Sequence, residues 1–259
     1  MNQAQRRLFL LQSLLKEKTE YRDIAIPTEP ESQRQLLRGL MNIRAPQNAD
    51  EDFLKMQDAY LQGETAAKGI TDVAGLTPVQ PGLYLWQGDI TTLKCDAIVN
   101  AANSGMTGCY IPNHRCIDNA IHTFAGVELR LACAELMEKQ DHMEPTGRAK
   151  ITPAFNLPCK YVLHTVGPII DGRVTRRDRE LLAACYRSCL EVADESSLES
   201  VAFCCISTGE FHFPNEQAAQ IAVETVKQFM NRKTSVKKVI FNVFKDLDKR
   251  IYARLLGAD

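Results

Sequence analysis

Charge of one sign is not in excess in this chain of 259 residues. Its 31 Lys and Arg oppose 32 Asp and Glu, for a formal net charge of −1. No basic stripe marks a nucleic-acid surface, so nucleic acid is not an expected partner, although a single nucleotide remains a compatible ligand. Long hydrophobic runs are also missing. No stretch approaches the roughly 20 apolar residues of a transmembrane helix, and no membrane partner is expected. The first residues, MNQAQRRLFLLQSLLKEK, are amphipathic and soon charged. They show neither the apolar core nor the small-residue cleavage site of a secretory signal. An even set of cysteines is absent too. Nine thiols in a chain without such a signal read as reduced groups of a cytoplasmic protein, not as a disulfide framework. There is no internal repeat and no low-complexity tract. What is present, 45% hydrophobic and 24% charged residues, suffices for a globular protein with a full core.

Residues 1–75 are poor in strand patterns and rich in helical ones. Leu8, Leu11, Leu14 and Leu15 recur at helical spacing, and 34–41 and 52–61 continue the style, with Asp50 as an N-cap. This block is expected to cover one face of the domain formed by residues 76–259; a separate helical module is the alternative. From about residue 80, apolar runs at 83–86, 97–100, 161–166, 201–206 and 238–243 alternate with helical stretches at 117–139, 176–195, 216–231 and 247–256. Runs such as VAFCCI imply strands buried on both faces. The expected fold class is therefore α/β, a three-layer α/β/α sandwich with a mixed, mostly parallel central sheet and an N-terminal helical extension. Ligands of such sheets bind at the carboxyl ends of the strands.

Just past one such end, in GMTGCYIPNHRCIDNAIH, lie Cys109, His114 and Cys116. Two thiolates and an imidazole suit Zn2+, and three protein ligands leave the open position of a catalytic site. A buried cysteine pair beside a surface histidine is the plain alternative. Four further segments follow strand ends. In QGDIT, the Asp89 carboxylate can accept from a purine amine, or simply cap a turn. In VNAANS, Asn100 and Asn103 offer amides to sugar hydroxyls, or satisfy a strand end. In ISTGEFHFP, a small Gly-containing turn before a helix can aim N–H groups at a diphosphate. There Phe211 can lie against a ribose or base, or pack in the core with Phe213. In CIDNAIH, Asp118 and His122 share a helix face and can serve as acid/base partners or support a metal ligand. A dipole-favoured aspartate and a half-buried histidine are the alternative there.

Taken in order, QGDIT, DAIVNAAN, GCYIPNHRCIDNAIH and ISTGEFHFP resemble the macrodomain family, and within it the zinc-containing branch of protein-ADP-ribose hydrolases. The resemblance runs over residues 80–256, and the N-terminal helices are typical of the same branch. It implies that Asp89, with the Ile90 backbone, contacts adenine and that Asn103 holds the distal ribose. It implies that Cys109, His114 and Cys116 bind zinc, that Cys116, Ile117 and Asp118 border the ligand, and that Ser207, Thr208, Gly209, Glu210 and Phe211 embrace the diphosphate and distal ribose. Asn103 and Asp118 are the expected catalytic pair. Glu210 stands where many macrodomains carry an apolar residue, so its backbone is expected to matter more than its side chain. The branch further implies a lipoylated glycine-cleavage-H-like carrier protein as substrate and a functional link to a sirtuin-type ADP-ribosyltransferase.

The expected activity is zinc-dependent removal of mono-ADP-ribose from a protein side chain, acyl-linked as on Asp or Glu. Zinc would act as a Lewis acid on ribose hydroxyls or by activating water, with attack at the carbonyl and at the anomeric carbon both open. A reader that binds ADP-ribose without turnover, with a structural zinc, is the alternative. A metal site closed by a fourth ligand, Cys95 or His122, would favour a purely structural role.

Overall fold

The leucine spacing of the first residues becomes helix α1 (Gln3–Lys16), whose buried face carries Leu10, Leu11, Leu14 and Leu15. The structure is a computed structural model and describes residues 1–258. Helix α2 (Pro30–Ile43) opens on a proline, which suits a first turn whose N–H groups have no intrahelical partner. Helix α3 (Glu51–Lys68) is capped by Asp50, as its sequence predicts: the carboxylate accepts from the Phe53 amide at 2.8 Å. The three helices share an apolar cluster that includes Leu37, Leu40, Phe53, Leu61 and one later residue, Val127.

Beyond them follow β1 (Thr71–Asp72), β2 (Leu83–Gln87), β3 (Leu93–Lys94), β4 (Ala97–Ala102), α4 (Ile117–Ala125), α5 (Val127–Gln140), β5 (Ala149–Pro153) and β6 (Tyr161–Val166). The chain closes with α6 (Arg176–Glu195), β7 (Ser200–Phe203), α7 (Asn215–Met230), β8 (Lys238–Val243) and α8 (Asp246–Leu256). Six strands form the central sheet in the order β2-β8-β7-β4-β6-β5. Every pairing is parallel except β5 with β6, so the sheet is mixed and mostly parallel. The interior strands read as continuous apolar runs because both their faces are covered, with Ile98, Val99, Val162, Leu163, Val201, Ala202, Val239 and Ile240 sealed from solvent. Each such aliphatic side chain contributes about 1.5–3 kcal/mol of burial. Helices α6, α7 and α8 pack side by side over the sheet, α4 and α5 pack with β4 and β5, and α2 and α3 lie against α4.

Three elements differ from the sequence reading. The helix expected over 117–139 is two helices, broken at Gly126. That residue has φ +99°, and a Cβ there would sit 2.6 Å from the buried Gln57 amide, which also caps the Val127 N–H at 2.8 Å. The strand expected over 201–206 stops at Phe203, and the chain continues as a loop, with Cys204 and Ile206 buried and Cys205 half-buried, as it turns toward Ser207, at φ +64°. Strand β5 was not expected: AKITP contains a lysine and a proline, tolerable only on an edge. The two-residue strands β1 and β3 are too short to leave a pattern. Since β2, β4, β6, β7 and β8 run parallel, their carboxyl ends meet along one edge, and the loops after β2, β4, β7 and β8 gather there.

Candidate active site and metal cluster

Strand β4 delivers the first polar groups to that edge. Asn100, in register with His164 on β6, is fully buried, and its amide donates to Asp118 Oδ1 at 2.8 Å and to His164 Nδ1 at 3.2 Å. Asn103 leaves the strand end and is engaged at both ends of its amide. Its Nδ2 reaches the Gly108 carbonyl at 3.1 Å and Asp118 Oδ2 at 3.2 Å, while its Oδ1 accepts from the Gly105 N–H at 2.9 Å. Asp118 lies beneath these groups in the first turn of α4, nearly sealed from solvent. Burial raises its carboxyl to about 6, against the lowering effect of Asn100, Arg130 and Asn103. The two residues expected to form a catalytic pair are thus in direct contact. Asp118 occupies the deeper position, from which it orients both asparagines.

The loop from 103 to 116 folds back over this pair. Cys109, His114 and Cys116 each offer a donor atom, and all three atoms lie within 4.8 Å of one another, half-buried. Burial pushes the Cys116 thiol well above its ordinary range, opposed by the Asn119 amide at 3.4 Å and reinforced by the neighbouring Cys109. His114 Nδ1 is buried with no hydrogen-bond partner, while its Nε2 faces Glu210 Oε1 at 3.7 Å. Two crowded sulfurs and an orphaned imidazole nitrogen are what a soft divalent cation would satisfy, so the donor set fits zinc. Among the described residues no fourth donor closes the trio within the same distance. Cys95 lies at the opposite end of β4, bonded to the Ala97 carbonyl, and His122 belongs to another cluster. Neither completes the site.

That other cluster is His122, Cys133 and His164, buried throughout. It has ligand-type chemistry but reads differently. Because the Asn100 amide nitrogen donates to His164 Nδ1, the imidazole proton sits on Nε2, which then donates to Thr152 Oγ1 at 2.9 Å. Burial lowers the His164 pKa to about 3, and burial, with His164 and Arg130, lowers that of His122 well below normal. Both histidines are therefore neutral, and both His164 nitrogens already serve the core, while the His122 nitrogens are buried without a hydrogen-bond partner beside a single thiol.

Asp89, at the end of β2, caps the turn that follows. Oδ1 accepts from the Thr91 N–H and hydroxyl at 3.0 and 2.6 Å, and Oδ2 accepts from Lys68 at 3.0 Å. Burial works to raise its carboxyl, but the Thr91 and Lys68 contacts outweigh it and the net shift is downward, keeping Asp89 ionised. Ile90 is buried behind it. Across the cleft, the Ser207–Phe211 turn is held by Phe213 N–H to Ser207 O and by Ile170 N–H to Phe211 O, both 2.9 Å. Ser207 Oγ is buried without a partner beside Gly167, where a Cβ would meet it at 2.0 Å. Thr208 and Phe211 are half-buried, Gly209 and Glu210 are exposed, and Phe213, not Phe211, enters the core. The N-terminus of α4, at Ile117, opens on the same edge.

One residue at this edge escaped the sequence reading. Phe244 follows β8, the strand beside β2, and is 76% exposed next to the Asp89 turn, its carbonyl accepting from Gln87 at 3.3 Å. The only local signal was an aromatic directly after an apolar strand. Lys68 was missed as well: it comes from α3, far from Asp89 in sequence, and lies 3.4 Å over the Phe124 ring.

The comparisons with known proteins agree with this geometry. The family model described as Macro domain matches residues 99–222. The chain is 56% identical over 261 residues to a protein-ADP-ribose hydrolase of Treponema medium, covering 99% of this chain and 100% of that one. It is 46% identical over 253 residues to a protein-ADP-ribose hydrolase of Staphylococcus aureus, covering 97% and 95%. Among solved structures, a variant Oceanobacillus iheyensis macrodomain with ADPR superposes with a TM-score of 0.64 at 37% identity, over 70% of this chain and 96% of that one. A Trypanosoma brucei macrodomain in complex with ADP-ribose superposes with a TM-score of 0.66 at 27% identity, over 85% and 95%.

Proposed function

The chain belongs to the macrodomain family, and from that premise we propose that it is a zinc-dependent protein-ADP-ribose hydrolase. The observation that carries the reading is the meeting, at one strand-end cleft, of the Cys109–His114–Cys116 trio with the Asn103–Asp118 pair. In this reading Asp89 receives the exocyclic amine of adenine, Phe244 offers a flat apolar face to the ring, and the turn from Ser207 to Phe211 wraps the diphosphate. The Ser207 hydroxyl gains the partner it lacks. The distal ribose then lies between Asn103 and the metal loop. Asn103, its amide fixed by Asp118 and Gly108, sets the orientation of that loop over the ribose. Asp118 holds Asn103, and its sealed carboxyl keeps water from competing for those hydrogen bonds.

Cys109, His114 and Cys116 would hold the zinc, which supplies Lewis acidity at the distal ribose. We further propose an acyl linkage as the bond cleaved, since an ester yields either to attack at its carbonyl or to departure of the carboxylate from the ribose. The N-terminal helices and metal loop support the branch that acts on a lipoylated glycine-cleavage-H-like carrier, opposite a sirtuin-type ADP-ribosyltransferase in the cytoplasm. A reader function is less well supported, because a three-donor site open on the ligand side has no use in binding alone. The test is mass spectrometry of an ADP-ribosylated carrier incubated with the purified protein. The proposal expects free ADP-ribose and unmodified carrier in equal amounts; binding of the modified carrier with no release would instead assign a reader.

A further inference from the structure

The metal loop has little structure of its own to hold its shape. It contains no helix or strand, places Asn113 at φ +57°, and ties the His114 amide only to the Ile111 carbonyl, at 3.2 Å. Asn103 holds its start through the Gly108 carbonyl and Arg130 of α5 through the Thr107 carbonyl at 2.8 Å, but the donor-bearing stretch from Ile111 to Cys116 is restrained from α2, in the N-terminal helical block. Arg38 Nη2 donates to the His114 carbonyl at 3.1 Å, and its Nε and Nη2 both reach Asn119 Oδ1, at 3.1 and 2.8 Å. Asn119 in turn donates its backbone N–H to Cys116 Sγ at 3.4 Å and its side-chain amide to the Ile111 carbonyl at 3.0 Å. One planar guanidinium therefore spans the backbone of one donor residue and the residue bonded to the sulfur of another. One turn further along α2, Asn42 accepts from the Asn113 N–H at 3.0 Å. Between them, a Cβ on Gly39 would come within 3.3 Å of the Asn113 amide, so helix and loop are in close approach.

We infer that Arg38 is a positioning residue for the metal site, and that through it the N-terminal helices are part of the active centre. This rests on the metal reading above. The contact is specific to arginine. A guanidinium stays protonated throughout the working pH range, and its fork serves two acceptors in one plane, whereas an ammonium offers a point charge. Groups that hold a ligand residue in place usually matter to metal affinity nearly as much as the ligands do.

The experiment uses the full chain and zinc itself, with affinity measured by competition against a chromophoric chelator. Ligand geometry is read from the visible d–d bands of the cobalt(II)-loaded protein. Arg38→Met is expected to weaken zinc binding by about tenfold and to change the cobalt spectrum. Arg38→Lys is expected to restore only part of the affinity. Arg6→Ala loosens the helical block without touching the loop, because Arg6 bonds only Gln3 and the Ala59 carbonyl; it is expected to leave both readouts unchanged. Wild-type zinc affinity and cobalt bands in Arg38→Met would overturn the inference, as would an equal loss in Arg6→Ala. Should Arg38→Met not fold, Arg38→Lys decides alone, and full wild-type affinity there overturns it. A wild-type protein that binds no zinc would remove the underlying metal reading instead, a separate and recognisable result.

Discussion

Two trios of metal-type donors lie close together in this molecule. Cys109, His114 and Cys116 sit half-buried in an irregular loop at the edge of the sheet, while His122, Cys133 and His164 sit sealed beneath them on α4, α5 and β6. Each combines thiol and imidazole within 4.8 Å. The difference lies in what else the donors do. In the sealed trio His164 is committed through both ring nitrogens to Asn100 and Thr152, and His122, though its nitrogens lack partners, has only one thiol beside it; His114 keeps a buried nitrogen with no partner next to two sulfurs. Donor chemistry alone therefore does not define a metal site. Uncommitted lone pairs, crowded thiols and an open side toward a ligand cleft do.

The sharpest way to break this contrast is metal content. Purified protein should carry about one zinc per chain, and the Cys109→Ala/Cys116→Ala double variant should carry almost none. Cys133→Ala should keep the wild-type content. Elemental analysis gives the answer, and zinc lost from Cys133→Ala instead would reverse the roles of the two trios.

Asn103→Ala comes next. It removes the amide that fixes the loop over the ribose, so turnover should fall on the order of 100-fold, as for loss of an oriented polar group at a reacting centre. ADP-ribose affinity should fall much less, the signature of an interaction strongest in the transition state. Comparing kcat with the calorimetric Kd distinguishes this from a plain binding defect.

Most of these positions were legible before the fold was known, for physical reasons. Strands with both faces buried must be apolar runs, so four of the five expected strands fall within a residue or two of the observed ones, and polar or cysteine-rich segments directly after them stand out as cleft groups. The site's lateral supports were not legible. Arg38, Lys68 and Phe244 reach the site from α2, α3 and the end of β8, and no local pattern links Lys68 to Asp89 or Arg38 to His114. Gly126 sits within a helical periodicity, and only its positive φ, enforced by the Gln57 contact, shows that the helix breaks there. The reading of His122 as half-buried also failed, because α5 and β6, distant in sequence, seal it.

A smaller effect tests the adenine end of the cleft. Asp89→Ala should weaken ADP-ribose binding by about 1.5–3 kcal/mol, as for loss of a charge-assisted hydrogen bond, with the thermal midpoint little changed. Calorimetry with ADP-ribose and a guanine analogue would expose the error if wild type bound both equally well.

The smallest effect belongs to the buried trio. His164 has an ordinary unfolded pKa near 6.5 and a folded value of about 3. Between those values the unfolded chain binds more protons, so stability should rise with pH across that window and fall as the pH drops through it. His164→Gln should flatten this slope, while costing about 1–3 kcal/mol through partners left unsatisfied at Thr152 and Asn100. Urea unfolding between pH 4 and 7 reads both, and an unchanged slope would show that His164 is not held neutral.

The central claim is that the half-buried trio works and the sealed one supports. Its most direct test is single-turnover release of ADP-ribose from a modified carrier by protein stripped of zinc, shown by circular dichroism to remain folded, and then reloaded. The account predicts that release is abolished on stripping and restored by one equivalent of zinc, with ADP-ribose affinity changing far less than the rate. Release at the original rate from the folded, zinc-free protein would contradict it.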